Sequence, residues 1–172
     1  MIKEMARTRL FFATDVHGSE ACFLKFLNAS KFYKAEVLVL GGDLAGKMLV
    51  PIVERGDGTY EANFLGVRQV FSEEKVGEME ARIRRMGFYP YKTDRETVRK
   101  LSEDSRRLEE LFSRLIVERI EKWIEVAEEK LRDGGVQVYV SGGNDDIPNI
   151  DDILRRSSVL IDPEGKVVKV QR

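Results

Sequence analysis

Residues 8–18, TRLFFATDVHG, and residues 37–43, VLVLGGD, decide the fold. Each is a short apolar run that breaks into a loop carrying an acidic residue, and a helical stretch lies between them. Ser19 stands where an N-cap belongs, and Phe23, Leu24, Phe26 and Leu27 gather on one side of the turns that follow. A strand, a helix and a strand over about 30 residues predict a βαβ unit with parallel neighbouring strands and a right-handed crossover. The loops after both strands then open on the same edge of the sheet.

Working outward, a third apolar run, Val136 to Val140, ends in Ser141-Gly142-Gly143-Asn144. Leu49 to Glu54 and Thr59 to Phe64 flank a Gly56-Asp57-Gly58 turn and predict a hairpin. From Ser72 to Leu131 the pattern is helical. Glu73 and Glu74 follow Ser72, Thr93-x-x-Glu96 reads as a capping box, and Gly87 to Tyr91 breaks the segment in two. Leu108, Leu111, Phe112, Leu115, Ile116, Ile120, Trp123, Ile124, Ala127 and Leu131 recur at three- and four-residue steps. That stripe predicts a helix face packed on the sheet or on the preceding helix. Gly134-Gly135 ends it. The tail holds a short helix near Asp151 to Arg155, then Val159 to Ile161 and Lys166 to Val170 on either side of a Pro163-Glu164-Gly165 turn.

The 172 residues suit one domain with a real core, and 42% hydrophobic with 34% charged residues is a globular balance. Lys plus Arg total 29 against 30 Asp plus Glu, so no overall positive field recommends nucleic acid or an anionic membrane. The single cysteine, Cys22, forms no internal disulfide, and the start MIKEMARTRLFF lacks a signal-peptide pattern, so the expected compartment is the cytoplasm. Abundant Glu, Lys and Arg with three Gln fit a thermophilic source.

Three apolar strands thus run into loops bearing hard or borderline metal ligands: Asp15-Val16-His17-Gly18, Gly41-Gly42-Asp43, and Gly142-Gly143-Asn144-Asp145-Asp146. In an open α/β sheet, ligands bind beyond the carboxyl ends of the strands, so these loops can converge from distant parts of the chain. Carboxylate, imidazole and amide oxygen suit divalent Mn, Fe, Co, Ni or Zn, with Mn the first expectation.

In this order the three motifs resemble the opening signatures of the calcineurin-like metallophosphoesterase family. The resemblance implies that Asp15 and His17 bind a first metal, Asp43 bridges two metals, and Asn144 binds the second. It implies an α/β fold, a four-layer α/β/β/α sandwich, of which residues 1–172 form the N-terminal portion. A hairpin and mainly helical insertion would occupy about 48–134. The implied reaction is hydrolysis of a phosphate monoester or diester by a metal-activated hydroxide, two ions clamping the phosphoryl oxygens.

Two departures from the family pattern matter. Many members place a histidine after the motif's asparagine, but here Asp145 follows. As a catalytic candidate Asp145 could donate a proton only if its pKa were raised; otherwise it caps the loop, and diesters or activated substrates become the expected class. The family also supplies later histidines, whereas His17 is the only histidine in this sequence. The first metal keeps Asp15, His17 and Asp43; the second keeps Asp43 and Asn144. The expectation is therefore the front portion of a longer or split enzyme, completed by a C-terminal polypeptide or in a homo-oligomer, or else a shortened form without activity. The alternative is a non-catalytic scaffold or binding protein. A P-loop competes for residues 41–47, but Met48 stands where Ser or Thr is required and Pro51 interrupts any following helix.

Overall fold

The computed structural model describes residues 7–132 and 134–170; the first half of the opening segment MIKEMARTRLFF lies outside them. Among these residues the chain is mixed α/β and carries two four-stranded sheets. One is built from β1 (Leu10–Ala13), β2 (Val37–Gly41), β7 (Gln137–Ser141) and β8 (Leu160–Ile161), in that spatial order and all parallel. The other has the order β5 (Val67–Ser72), β4 (Thr59–Phe64), β3 (Leu49–Glu54), β6 (Tyr89–Asp94). Its first three strands are antiparallel and β6 runs parallel to β3. The helices are α1 (Glu20–Phe32), α2 (Val76–Arg85), α3 (Arg95–Glu103), α4 (Ser105–Leu131) and α5 (Ile150–Leu154).

Two compact units result. The first contains the chain as far as Asp15, then Phe23–Leu44 and everything from Ile120 onward; the second contains Val16–Cys22 and Ala45–Arg119. The later half of α4 thus belongs with the parallel sheet.

In the first unit the register places Leu38, Leu40, Val138, Val140 and Leu160 on one face of the sheet, and all are buried. Side chains alternate along a strand, which sends Leu10, Phe12, Val39, Tyr139 and Ile161 to the other face. There Leu10 (52%), Phe12 (60%) and Ile161 (41%) are exposed, whereas Val37, opposite Leu10, and Tyr139 are buried. Phe23 of α1 stacks flat on Trp123 of α4, ring centroids 4.3 Å apart. Leu40, Val140 and Leu160 line the same small apolar space as this pair. Ser19 caps α1 as expected, its hydroxyl accepting the Cys22 amide at 3.3 Å. Leu24, placed by periodicity on the apolar side, is exposed. So is Leu108 in the α4 stripe, while Leu111, Ile116, Ile120, Trp123, Ile124, Ala127 and Leu131 are buried.

The second unit departs further from the sequence reading. The expected hairpin is present, with Ile52 opposite Ala62. It is extended by β5 through a two-residue Leu65-Gly66 turn in which both residues have positive φ, the geometry that suits a tight hairpin. The aromatic break at 87–91 is largely a strand, β6, whose Pro90 is tolerated because β6 lies at the sheet edge. Thr93 pairs in that strand, so α3 is capped one residue later. Asp94 Oδ1 accepts the Thr97 amide at 2.9 Å, and the Thr97 hydroxyl donates to Asp94 Oδ2 at 2.8 Å. These bonds hold the Asp94 carboxyl below its usual range. Val50, Ile52, Tyr60, Ala62 and Phe64 pack against Val76, Met79 and Ile83 to make this unit's core. In the tail, the Lys166 amide closes the expected turn on the Pro163 carbonyl at 3.0 Å, but residues 167–170 form no strand. Among the described residues no helix is long and apolar enough to cross a membrane.

Candidate metal centre

β1 and β2 are parallel neighbours, so the loops leaving their carboxyl ends start side by side, and the Asp15 amide donates to the Gly42 carbonyl at 3.2 Å. Asp15, His17 and Asp43 each offer a ligand atom there, and these atoms lie within 4.8 Å of one another. Asp15 is exposed, whereas His17 and Asp43 are half-buried. Two carboxylates held this close repel, and a cation among them relieves the repulsion. The donor set of two carboxylates and one imidazole fits a divalent transition ion.

The backbone marks the same three residues. Asp15 (φ 57°), His17 (φ 42°) and Asp43 (φ 52°) are in the left-handed region, and among the described residues the other non-glycine residues found there are Lys34 and Leu65. Asp and His enter that region more readily than most residues, but each still bears a conformational cost that surrounding structure must offset. Part of the offset is close packing by glycine. A Cβ on Gly143 would overlap the Asp43 carboxylate and amide, and a Cβ on Gly87 would overlap the His17 carbonyl.

The β7 loop buttresses Asp43. Asp43 Oδ1 accepts the Asp145 amide at 3.3 Å, and Asp146 Oδ2 accepts the amides of Leu44 (3.0 Å) and Gly143 (2.8 Å), tying the loops after β2 and β7 together. Asn144 follows Gly143 on the exposed tip of that loop and donates through Nδ2 to Asp145 Oδ1 at 3.3 Å. Asp145 therefore meets Asp43 through its main chain. The Thr14 hydroxyl lies 2.7 Å from Asp15 Oδ2 and 3.0 Å from the Gly41 carbonyl.

Sequence reasoning missed Asp146 and Arg119. Asp146 was legible as part of the Asn-Asp-Asp run, though not as the residue joining two loops. Arg119 lies within the apolar stripe of α4 and breaks its pattern, which was the available signal. It is buried, and burial pulls its pKa down, against the opposing pull of Tyr89 and Glu20. Its Nη1 donates to the Gly18 carbonyl at 2.5 Å and its Nη2 to the Phe88 carbonyl at 3.2 Å.

The P-loop reading fails here. After Lys47 and Met48 the chain enters β3, so no helix N-terminus follows to present amides to a phosphate. Compared with protein-family models, with curated proteins and with solved structures, the chain matches none.

Proposed function

We propose that this chain is a metal-dependent phosphoesterase-like protein of the calcineurin-like metallophosphoesterase kind, holding one divalent ion through Asp15, His17 and Asp43. The observation that carries the reading is the convergence of these three ligand atoms within 4.8 Å at the ends of two adjacent parallel strands. Manganese is the first candidate, and Fe, Co, Ni and Zn share the ligand chemistry. Bound there, such an ion would supply Lewis acidity to a phosphoryl oxygen and acidify a water. The chain's own part is orientation. Asp43 has two carboxylate oxygens, one bonded to the Asp145 amide and the other able to coordinate. A loop-bracing role suits Asp145 better than proton donation, because an ionised aspartate repels phosphate. The substrate class is a phosphate ester, diesters before monoesters.

The second metal position would rest on Asp43 and Asn144 alone, too few protein ligands for a tightly held ion. A second copy brings only another His17, already committed to its own site. The partner that suits the reading is a histidine-bearing complementing polypeptide, and the sheet supports this independently. Parallel sheets are ordinarily covered on both faces, and on the face that buries Val37 and Tyr139 the side chains of Leu10, Phe12 and Ile161 are left exposed. An apolar sheet laid on that face would complete an α/β/β/α sandwich, with residues 45–119 as an insertion.

Calorimetric titration with Mn²⁺, elemental analysis and an aryl phosphodiester assay test the proposal. The chain binds at most one equivalent and turns over barely above background. His17→Ala and Asp43→Ala each weaken binding by more than roughly 100-fold, beyond the usual effect of changing a residue that merely supports a ligand, with circular dichroism unchanged. Unaltered affinity in both variants would sink the assignment. Two tightly held ions with robust turnover would overturn the ligand count. The second reading, a non-catalytic scaffold, is favoured by the single histidine, and is selected if a histidine-bearing partner binds without restoring turnover.

A further inference from the structure

We propose that Arg119 is the positioning residue of the metal centre, fixing the backbone that presents His17; this rests on the reading of His17 as a ligand. Gly18, whose carbonyl accepts Arg119 Nη1, directly follows His17. Phe88, whose carbonyl accepts Nη2, directly follows Gly87, the residue packed without room for a Cβ on the His17 carbonyl. One guanidinium therefore grips both sides of the contact that holds the His17 backbone. Its position is itself defined. The guanidinium carbon stands 4.8 Å over the Tyr89 ring, and the Tyr89 hydroxyl accepts the Gly46 amide at 3.0 Å. Glu20 Oε1 lies 4.0 Å from Arg119 Nε and 3.6 Å from Arg84 Nε.

Stability alone is a poor account of this arrangement. Burying a guanidinium is expensive, and a well-packed apolar side chain in its place is often neutral or stabilising. What an apolar residue cannot do is hold two carbonyls at a fixed separation, and a lysine, with one ammonium on a flexible stem, does so poorly. His17 is left-handed at φ 42°, a conformation that needs such support.

The full-length chain is tested by Co²⁺ titration and by NMR of the His17 ring, which is unambiguous because His17 is the only histidine. Arg119→Lys weakens Co²⁺ binding by roughly 10- to 100-fold, the range for residues that orient a ligand. Without metal, the His17 ring cross-peak broadens or splits while amide signals of the parallel sheet stay in place. In a His17→Ala background, Arg119→Lys changes Co²⁺ affinity less than about twofold, because the residue acts through His17. An unchanged His17 cross-peak in Arg119→Lys, or an equal loss of affinity in the His17→Ala background, overturns the proposal. If the wild type binds no Co²⁺, the metal reading fails, while the metal-free cross-peak still decides the role of Arg119. If Arg119→Lys does not fold, the wild type decides: Arg119 Nη protons exchange far more slowly than those of the exposed Arg106, and equal rates refute the grip.

Discussion

Both sheets put residues into the left-handed region at their strand ends, but they do so in opposite surroundings. In the loops after β1 and β2 the left-handed residues are Asp15, His17, Gly18, Gly42 and Asp43, and neighbouring backbone is packed so closely that Gly143 has no room for a Cβ. In the β3–β4–β5 meander they are Gly56, Gly58, Leu65 and Gly66, and the three glycines have nothing within 4 Å of where a Cβ would stand. The meander turns need only the conformational freedom of glycine to reverse the chain. The parallel-sheet loops place side chains of metal-ligand type in an unfavourable conformation and crowd them. Left-handed backbone therefore marks a turn where it is open, and a candidate site where ligand-type residues and packing coincide.

The comparison can be broken most severely through the core beneath the loops that carry Asp15 and Asp43. Trp123 is 4% exposed and stacked on Phe23 in the unit that carries β1, β2 and β7. Trp123→Asp is expected to cost at least about 3–5 kcal/mol, the scale of losing a buried tryptophan, before any cost of the unpaired charge. Thermal melting followed by circular dichroism reads it, and an unmoved midpoint would mean that the packed side of the comparison is not packed.

Glycine substitutions sharpen it. Gly143→Ala drives a methyl group into Asp43 and is expected to destabilise by about 2–3 kcal/mol and to weaken Mn²⁺ binding. Gly58→Ala, at φ +78° in open space, meets only the left-handed penalty of about 1 kcal/mol and leaves metal affinity alone. Equal effects on stability and on metal binding would erase the distinction between crowded and open positions. The smallest effect has the opposite sign. Gly77 lies in α2 without a positive φ and with nothing within 4 Å, so Gly77→Ala should stabilise by about 0.5–1 kcal/mol in urea melts. A loss of stability there would show that open space around a glycine does not identify a tolerant position.

Legibility followed the range of the interactions involved. The parallel strands, Ser19 as a cap and the loops carrying Asp15 and Asp43 were readable because each is a local pattern: an apolar run, a hydroxyl before a helix, an acid after a strand. β6 was not readable, since Tyr89-Pro90-Tyr91 resembles a chain break and becomes a strand only through pairing with β3, 40 residues earlier at Leu49 opposite Tyr89. The cap moved from Thr93 to Asp94 for the same reason, because strand pairing claims Thr93.

By itself the sequence determined which residues could serve as ligands and that they follow apolar strands, because residue chemistry and alternation are carried in the chain. Only the tertiary structure decided that Asp15, His17 and Asp43 meet within 4.8 Å, that Asp146 ties two loops, and that the one arginine buried in the α4 stripe grips Gly18 and Phe88. Those contacts join residues as many as 102 positions apart. No local rule encodes a separation of that length; it is set when the sheet register and the helix packing close together.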